Sequence, residues 1–461
     1  MKNVFSVVIL FFTVISFAQD EKAKRIDSLF TAMNVNNEFN GVVLFAEEGK
    51  IIHKKAYGKA DFSKDIPLST ASVFDLASVS KQFTAMGIVL LHDERKLAYK
   101  DPISKYIPEL AFYPEITIEN LLTHTSGLTD YMELMDASWD HSKIATNKDV
   151  IKTLATQKPE LLFKTNSQYE YSNTGYLLLA SIIEKASGMS YGDFLKKNIF
   201  DPLKMTSTAV NRPRFAPKDI PNLTKGHVNG VDGSPVPIDS YGTDQVAYFL
   251  DGIVGDGMVN STVDDLFKWD RALYTDQLVS KRDIEKIFTP HTLSNGTLTN
   301  YGFGWQLKDH PTYGRVTGHS GAWAGYLTYI ERHVSNDKVF IFLQNTSLMT
   351  TGNPVLNSRK LLYNEPIEII SFIPKQYSIE ELKSYTGVYK NEYIGMDITI
   401  EIDDNNTLTG QATGQGAFPL ESFEDHKFKF DPAGISIVFS EDKNSFKIKQ
   451  GGSITLFKKS K

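Results

Sequence analysis

In the stretch "FDLASVSKQFTAMGIVLL" a serine, Ser78, stands three residues ahead of a lysine, Lys81, at the start of an apolar run. A serine hydroxyl is a weak nucleophile until a neighbouring base takes its proton. Residues three apart share one face of a helix, so Lys81 can reach the Ser78 oxygen, and the helix N-terminus favours negative charge developing there. The same spacing recurs at Ser335 with Lys338, in the polar turn "VSNDK", and at Ser440 with Lys443, in the acidic turn "SEDKN". Only the first copy opens a buried helix.

Two further groups fit the same chemistry. Tyr171-Ser172-Asn173 immediately precedes the apolar run "TGYLLLASII". A phenol beside a lysine ammonium has a stabilised phenolate, so Tyr171 can act as general base and then acid, with Asn173 binding an amide or ester oxygen. A second Tyr-x-Asn, Tyr389 with Asn391, falls in a charged loop near the C-terminus. His319-Ser320-Gly321, in "VTGHSGAWAGYLTYI", ends one strand-like stretch and leads to the next. Gly321 admits close approach of backbone and substrate, and an N–H just after it can complete an oxyanion hole.

These groups need a frame. "GVVLFAEEGKIIHKKAYG" predicts two strands around a turn at Glu47 to Lys50. Helices are predicted from Ser80 to Leu91, Asn147 to Gln157, Thr174 to Ala186, Tyr191 to Asn198 and Val263 to Tyr274, the last with Thr262 as N-cap. Between Arg212 and Ile238 five prolines break any period, which predicts a long irregular loop able to gate or select substrate. Strands return at Tyr301 to Leu307, Arg315 to Gly318, Gly325 to Arg332 and Lys338 to Gln344, before a helix near Val355 to Tyr363. Strands at both ends and helices between them predict an α/β sandwich closed by distant parts of the chain. After Pro366 and Pro374 the pattern changes to short alternating runs such as Ile398, Ile400, Ile402 and Ile435, Ile437, Phe439, preceded by a capping box at Ser378 to Glu381. That predicts a separate small antiparallel β domain, a barrel.

The first 18 residues read as a secretory leader: Lys2, an apolar stretch from Val4 to Phe17, and small residues Ser16 and Ala18 before an expected cleavage. The boundaries expected are then 1–18 for the leader, 25–365 for the main domain, 366–377 for a linker and 378–461 for the β domain. The chain of 461 residues has no cysteine, which excludes disulfides, thiolate metal sites and a lipidated cysteine. A net charge of −6 offers nothing to nucleic acid, and no stable membrane anchor is expected after cleavage. No His-Glu-x-x-His, Gly-x-Ser-x-Gly or phosphate-loop pattern occurs, and no cofactor is implied.

Taken together, the three groups resemble those of the serine β-lactamase and penicillin-binding superfamily, in the branch shared by class C β-lactamases, D-alanyl-D-alanine carboxypeptidases of the Tyr-x-Asn type, D-aminopeptidases and related esterases. The resemblance runs from Arg25 to Tyr363 and includes "ENLLTHTSGL" and "GDGMVNSTVDDLFKW". It implies a β-lactamase/transpeptidase-like α/β (α+β) sandwich, an antiparallel sheet with a helical region, followed by an all-β domain like a lipocalin barrel. It also implies Ser78 as acylated nucleophile, Lys81 and Tyr171 as its activators, and Asn173, His319, Ser320, Gly321 and Ala322 as substrate-binding residues. The N–H groups of Ser78 and Ala322 would form the oxyanion hole. His124, in "THTSG", is expected to be a core histidine. Histidine at 319, where class C β-lactamases carry lysine, supplies only part of a cation at neutral pH, which favours a peptidase or esterase over a β-lactamase. The expected substrate is a small molecule or peptide, cell-wall derived, met in the periplasm or outside the cell. The competing readings are a β-lactamase and a sensor that is acylated without turnover.

Overall fold

The computed structural model describes residues 21–230, 234–347, 353–367, 375–391, 395–403, 405–430, 433–450 and 453–460. The leader read at 1–18 and residues 368–374 of the expected linker lie outside them. Two compact units result, one of 41–228 with 235–347, the other of the described parts of 1–40, 229–234 and 348–461. Among the described residues no helix is long and apolar enough to cross a membrane.

The first unit is built on a six-stranded antiparallel sheet. Its strands are β1 (Gly41–Glu47), β2 (Lys50–Tyr57), β3 (Gln306–His310), β4 (Gly314–Trp323), β5 (Tyr326–His333) and β6 (Lys338–Gln344), in the order β3-β4-β5-β6-β1-β2. The predicted hairpin forms β1 and β2, turning at Glu48 and Gly49, both of positive φ as a two-residue hairpin requires. The β1–β6 pairing, from Gly41 with Gln344 to Glu47 with Lys338, closes the sheet from the two ends of the sequence.

Alternate residues Val42, Leu44 and Ala46 of β1 and Val339, Ile341 and Leu343 of β6 join a core that includes Phe83 and Trp269. Helix α1 (Lys81–Asp93) is buried at nearly every position and runs beside α2 (Asn173–Ser187). A Cβ at Gly87 of α1 would lie 2.8 Å from Ile183 Cδ1 of α2, so glycine sets how closely the two helices approach. Ser172 caps α2 through its hydroxyl, which accepts from Gly175 N, and Gly188 ends it in the left-handed region. The helix at Val263–Ala272 has Thr262 as its cap.

In the second unit, nine strands form one antiparallel sheet curled into a nearly closed barrel. Its two edges, Phe418–Pro419 and Glu421–Ser422, are neighbours in sequence. Tyr389, Phe428, Phe439 and Phe446 fill its core, and the predicted capping box at Ser378 and Glu381 is present. Tyr389 does not sit in a loop as expected. It lies on the strand Gly387–Asn391 with its hydroxyl donating to the carbonyls of Tyr385 and Lys443, because an aromatic at an inward strand position completes the barrel core.

Candidate active site

Ser78 lies in a 3-10 turn, Ala77–Ser80, that runs straight into α1. Ala77 has φ +47°, a conformation costly for a residue with a side chain, and its N–H is held by Asp75 Oδ1 at 2.8 Å. The turn is therefore locked from one residue before the serine. Lys81, fully buried as the first residue of α1, donates to Ser78 Oγ at 3.1 Å, to Asn173 Oδ1 at 2.9 Å and to the Asp256 carbonyl at 2.9 Å. An ammonium has three N–H bonds, and all three are directed at these acceptors. Its Nζ also lies 4.9 Å from the centre of the Tyr171 ring. Asn173 completes its own bonding by donating Nδ2 to Asp130 Oδ2 at 3.0 Å.

The pairing of β3 with β4 stops at Gln306 with Gly318, which frees the β4 edge from His319 onward. That edge lies against the Ser78 turn. Any Cβ at Gly321 would come within 2.3 Å of the Leu76 carbonyl and 3.1 Å of Ser78 N, while Thr328 Oγ1 donates to the same Leu76 carbonyl at 2.7 Å. Ser320 and Ala322 are exposed, and Ala322 lines one cavity with Ser78 and Asn173. The structure thus gathers Ser78, Lys81, Tyr171, Asn173, Gly321 and Ala322.

His319 differs from the expectation of a partial cation. Its ring is buried, with Nδ1 2.6 Å from the Ser320 carbonyl and Nε2 2.8 Å from the Tyr301 hydroxyl. A carbonyl only accepts, so Nδ1 carries the hydrogen and Nε2 accepts from Tyr301. Burial, reinforced by the nearby Lys81 charge, pulls the ring down to about 3, and it is neutral at physiological pH. His124 is buried as expected for a core residue. Its Nδ1 accepts from Ser172 N at 3.0 Å, its ring lies 4.4 Å from that of Tyr171, and burial holds it well below the usual histidine range.

Several residues of the site carried no role in the sequence reading. Asp130 caps the helix Tyr131–Ser138 while holding Asn173. Asp256 presents its carbonyl to Lys81 and its carboxyl to the Tyr131 hydroxyl at 2.9 Å; burial raises that carboxyl. Burial likewise pushes Asp75 up to about 7. Their one signal was position, beside the nucleophile motif and within "THTSGLTD" and "GDGMVNST". The other Ser-x-x-Lys pairs are structural: Lys338 Nζ is bonded to Glu47 Oε1, and Ser440 Oγ to Asp442 Oδ1.

Known proteins resemble this chain along most of its length. The family described as Beta-lactamase matches residues 26–365. Penicillin-binding protein 4* of Bacillus subtilis (strain 168) is 38% identical over 429 residues, covering 91% of this chain and 93% of that protein. Teichoic acid D-alanine hydrolase of Staphylococcus aureus is 28% identical over 358 residues, 76% of this chain and 78% of that one. Among solved structures, the octameric penicillin-binding protein homologue from Pyrococcus abyssi superposes with a TM-score of 0.67 at 23% identity, covering 94% of this chain and 99% of that one.

Proposed function

The chain belongs to the Beta-lactamase family of serine hydrolases, and on that premise we propose that it cleaves an amide or ester bond of a D-amino-acid compound through a Ser78 acyl-enzyme. The observation that carries the proposal is the Lys81 ammonium, which binds Ser78 Oγ and Asn173 Oδ1 at once and overlies the Tyr171 ring.

Ser78 Oγ attacks the carbonyl carbon as Tyr171, whose ring lies beside Lys81, takes its proton. The N–H groups of Ser78 and Ala322 receive the oxyanion, at about 3 to 4 kcal/mol per donor. Collapse expels the amine or alcohol, which leaves with the proton from Tyr171. Water then attacks the acyl-enzyme, again deprotonated by Tyr171, and the acid departs as Ser78 regains its proton. Asn173 orients the acyl group, and Ser320 and Gly321 line its path along the β4 edge.

Two features favour an esterase or aminopeptidase-like substrate over a β-lactam or a peptide read by its terminal carboxylate. His319 is neutral and both its nitrogens are engaged, and every N–H of Lys81 is used, so neither offers a charge to a carboxylate. The teichoic acid D-alanine hydrolase relative and the apolar leader-like N-terminus favour an exported enzyme acting on cell-wall-derived material.

The test is labelling and turnover together. A fluorophosphonate should label wild type and not Ser78→Ala, and a panel of D-alanyl amides, small esters and a chromogenic cephalosporin should show turnover of the first two classes. A wild-type protein left unlabelled overturns the acyl-enzyme. A persistent adduct without turnover would assign the site to a sensor instead.

A further inference from the structure

The backbone on both sides of Tyr171 is held by one residue. Glu170 N donates to the His124 carbonyl at 2.9 Å, and Ser172 N donates to His124 Nδ1 at 3.0 Å. The His124 ring also lies against that of Tyr171, centres 4.4 Å apart and planes 36° from parallel. Tyr171 has no such tether of its own: among the described residues its hydroxyl makes no hydrogen bond. A base that takes a proton from Ser78 and later returns it needs that hydroxyl free, so it is oriented through its backbone and its ring.

The segment carrying His124 anchors the whole approach to Tyr171. Residues 158–172 form no helix or strand. Within them, Leu162 N donates to the Gly127 carbonyl and Asn166 N to the Thr125 carbonyl, each at 2.8 Å. Any Cβ at Gly127 would come within 2.3 Å of the Phe163 carbonyl, so the two segments pass in close contact. His124 itself takes a φ of +56°, uncommon for a residue with a side chain, and is fully buried behind Tyr171. Burial, with the nearby Lys81 and His319, holds its ring well below the usual histidine range, so Nδ1 stays unprotonated and accepts. The hydrogen then sits on Nε2, which has no hydrogen-bond partner among the described residues. An orphaned buried donor is costly, and an apolar side chain would fill the same space without it. What histidine adds over such a filler is the acceptor beside Tyr171.

We infer that His124 is a positioning residue: it sets the place of Tyr171 relative to Lys81 and Ser78, and through it the rate of proton transfer, without touching substrate. The inference rests on the reading of Tyr171 as the base and goes beyond it.

The test separates the acceptor from the filler. His124→Asn puts an amide oxygen near the position of Nδ1 and tolerates the left-handed backbone, whereas His124→Leu keeps bulk and loses the acceptor. With p-nitrophenyl acetate, kcat should fall about 100-fold in His124→Leu and no more than about tenfold in His124→Asn, with KM within about threefold of wild type in both. Labelling of Ser78 by a fluorophosphonate should slow in the same order. In a Tyr171→Phe background, His124→Leu should cost no more than about twofold further, because the group it positions is gone. Should leucine fail to fold, His124→Ala, which also lacks the acceptor, replaces it in both comparisons. Equal kcat in the asparagine and leucine variants, or the full loss repeated in the Tyr171→Phe background, overturns the positioning role. Wild type gives an independent reading: nitrogen NMR of histidine-labelled protein should show a neutral imidazole, absent from His124→Asn, with its proton on Nε2. A proton on Nδ1 overturns the bond to Ser172 N and the inference with it. Wild-type kcat in Tyr171→Phe alone would instead overturn Tyr171 as the base, so the two failures are distinct.

Discussion

Lys81, the first residue of α1, donates to Oδ1 of Asn173, the first residue of α2, at 2.9 Å. One hydrogen bond therefore spans the starts of the two helices that carry the site, and the same ammonium reaches Ser78 Oγ. Asn173→Ala removes this anchor and the bond to Asp130, but leaves the Ser172 cap of α2 in place. We expect kcat/KM to fall about 100-fold or more while stability falls by about 1 to 2 kcal/mol. Steady-state kinetics and urea unfolding check the two effects separately; a variant with wild-type turnover would show that Lys81 holds its place without Asn173.

The β4 edge makes a sharper prediction. Gly321→Ala puts a methyl group 2.3 Å from the Leu76 carbonyl, so the strand must withdraw from the Ser78 turn. Misplacing a reacting group by about 1 Å costs about 100-fold in rate, and kcat should drop by at least that much. A kcat within twofold of wild type would mean that the oxyanion donors lie elsewhere.

Away from the cleft, Arg332 of β5 and Asp270 are both buried and meet at 2.6 Å. Removing one partner leaves an unpaired buried charge, so Asp270→Ala should cost about 3 to 5 kcal/mol of stability. The reading comes from denaturant unfolding, with kcat of the folded fraction expected near wild type. A loss below about 1 kcal/mol would contradict the burial of the pair.

His319 links the site to acid stability. The folded ring protonates only near pH 3, whereas an unfolded histidine does so near 6.5. Between those values the unfolded state binds the extra proton, so stability is present above about pH 6.5 and is lost as pH falls toward 3. His319→Asn should flatten the stability curve by about 1.4 kcal/mol per pH unit across that window relative to wild type. Parallel curves for the two proteins would show that the ring is not buried in neutral form.

The sequence made the candidate constellation legible because its members lie in short motifs attached to strongly periodic elements. Lys81 and Asn173 each begin a helix whose apolar pattern is unmistakable, and β6 was predicted to the residue. What escaped was set by contacts between distant residues. The neutral state of His319 comes from burial and the nearby Lys81, and its tautomer from Ser320 and Tyr301, the latter 18 positions earlier; no local pattern reveals where an imidazole points. The strand expected from Tyr301 begins only at Gln306, because Gly304 adopts a φ of +78° and breaks it. The helix expected from Tyr191 to Asn198 leaves α geometry after Leu195 and widens into a π turn. Asp75 looked like an ordinary polar residue until the fold placed its Oδ1 on the N–H of Ala77, one residue ahead of Ser78.

The closure of the sheet by β1 and β6 sets the timing of biogenesis. Gly41 pairs with Gln344, about 300 residues later, and synthesis proceeds at about 5 to 20 residues per second. The first hairpin thus waits roughly 15 to 60 seconds for the strand that covers its edge. During that interval one edge of the apolar strand "GVVLFA" is open, the kind of edge that invites intermolecular pairing. The Ser78 turn waits on the same stretch of synthesis, because β4, the strand that lies against it, is made only at residues 314–323.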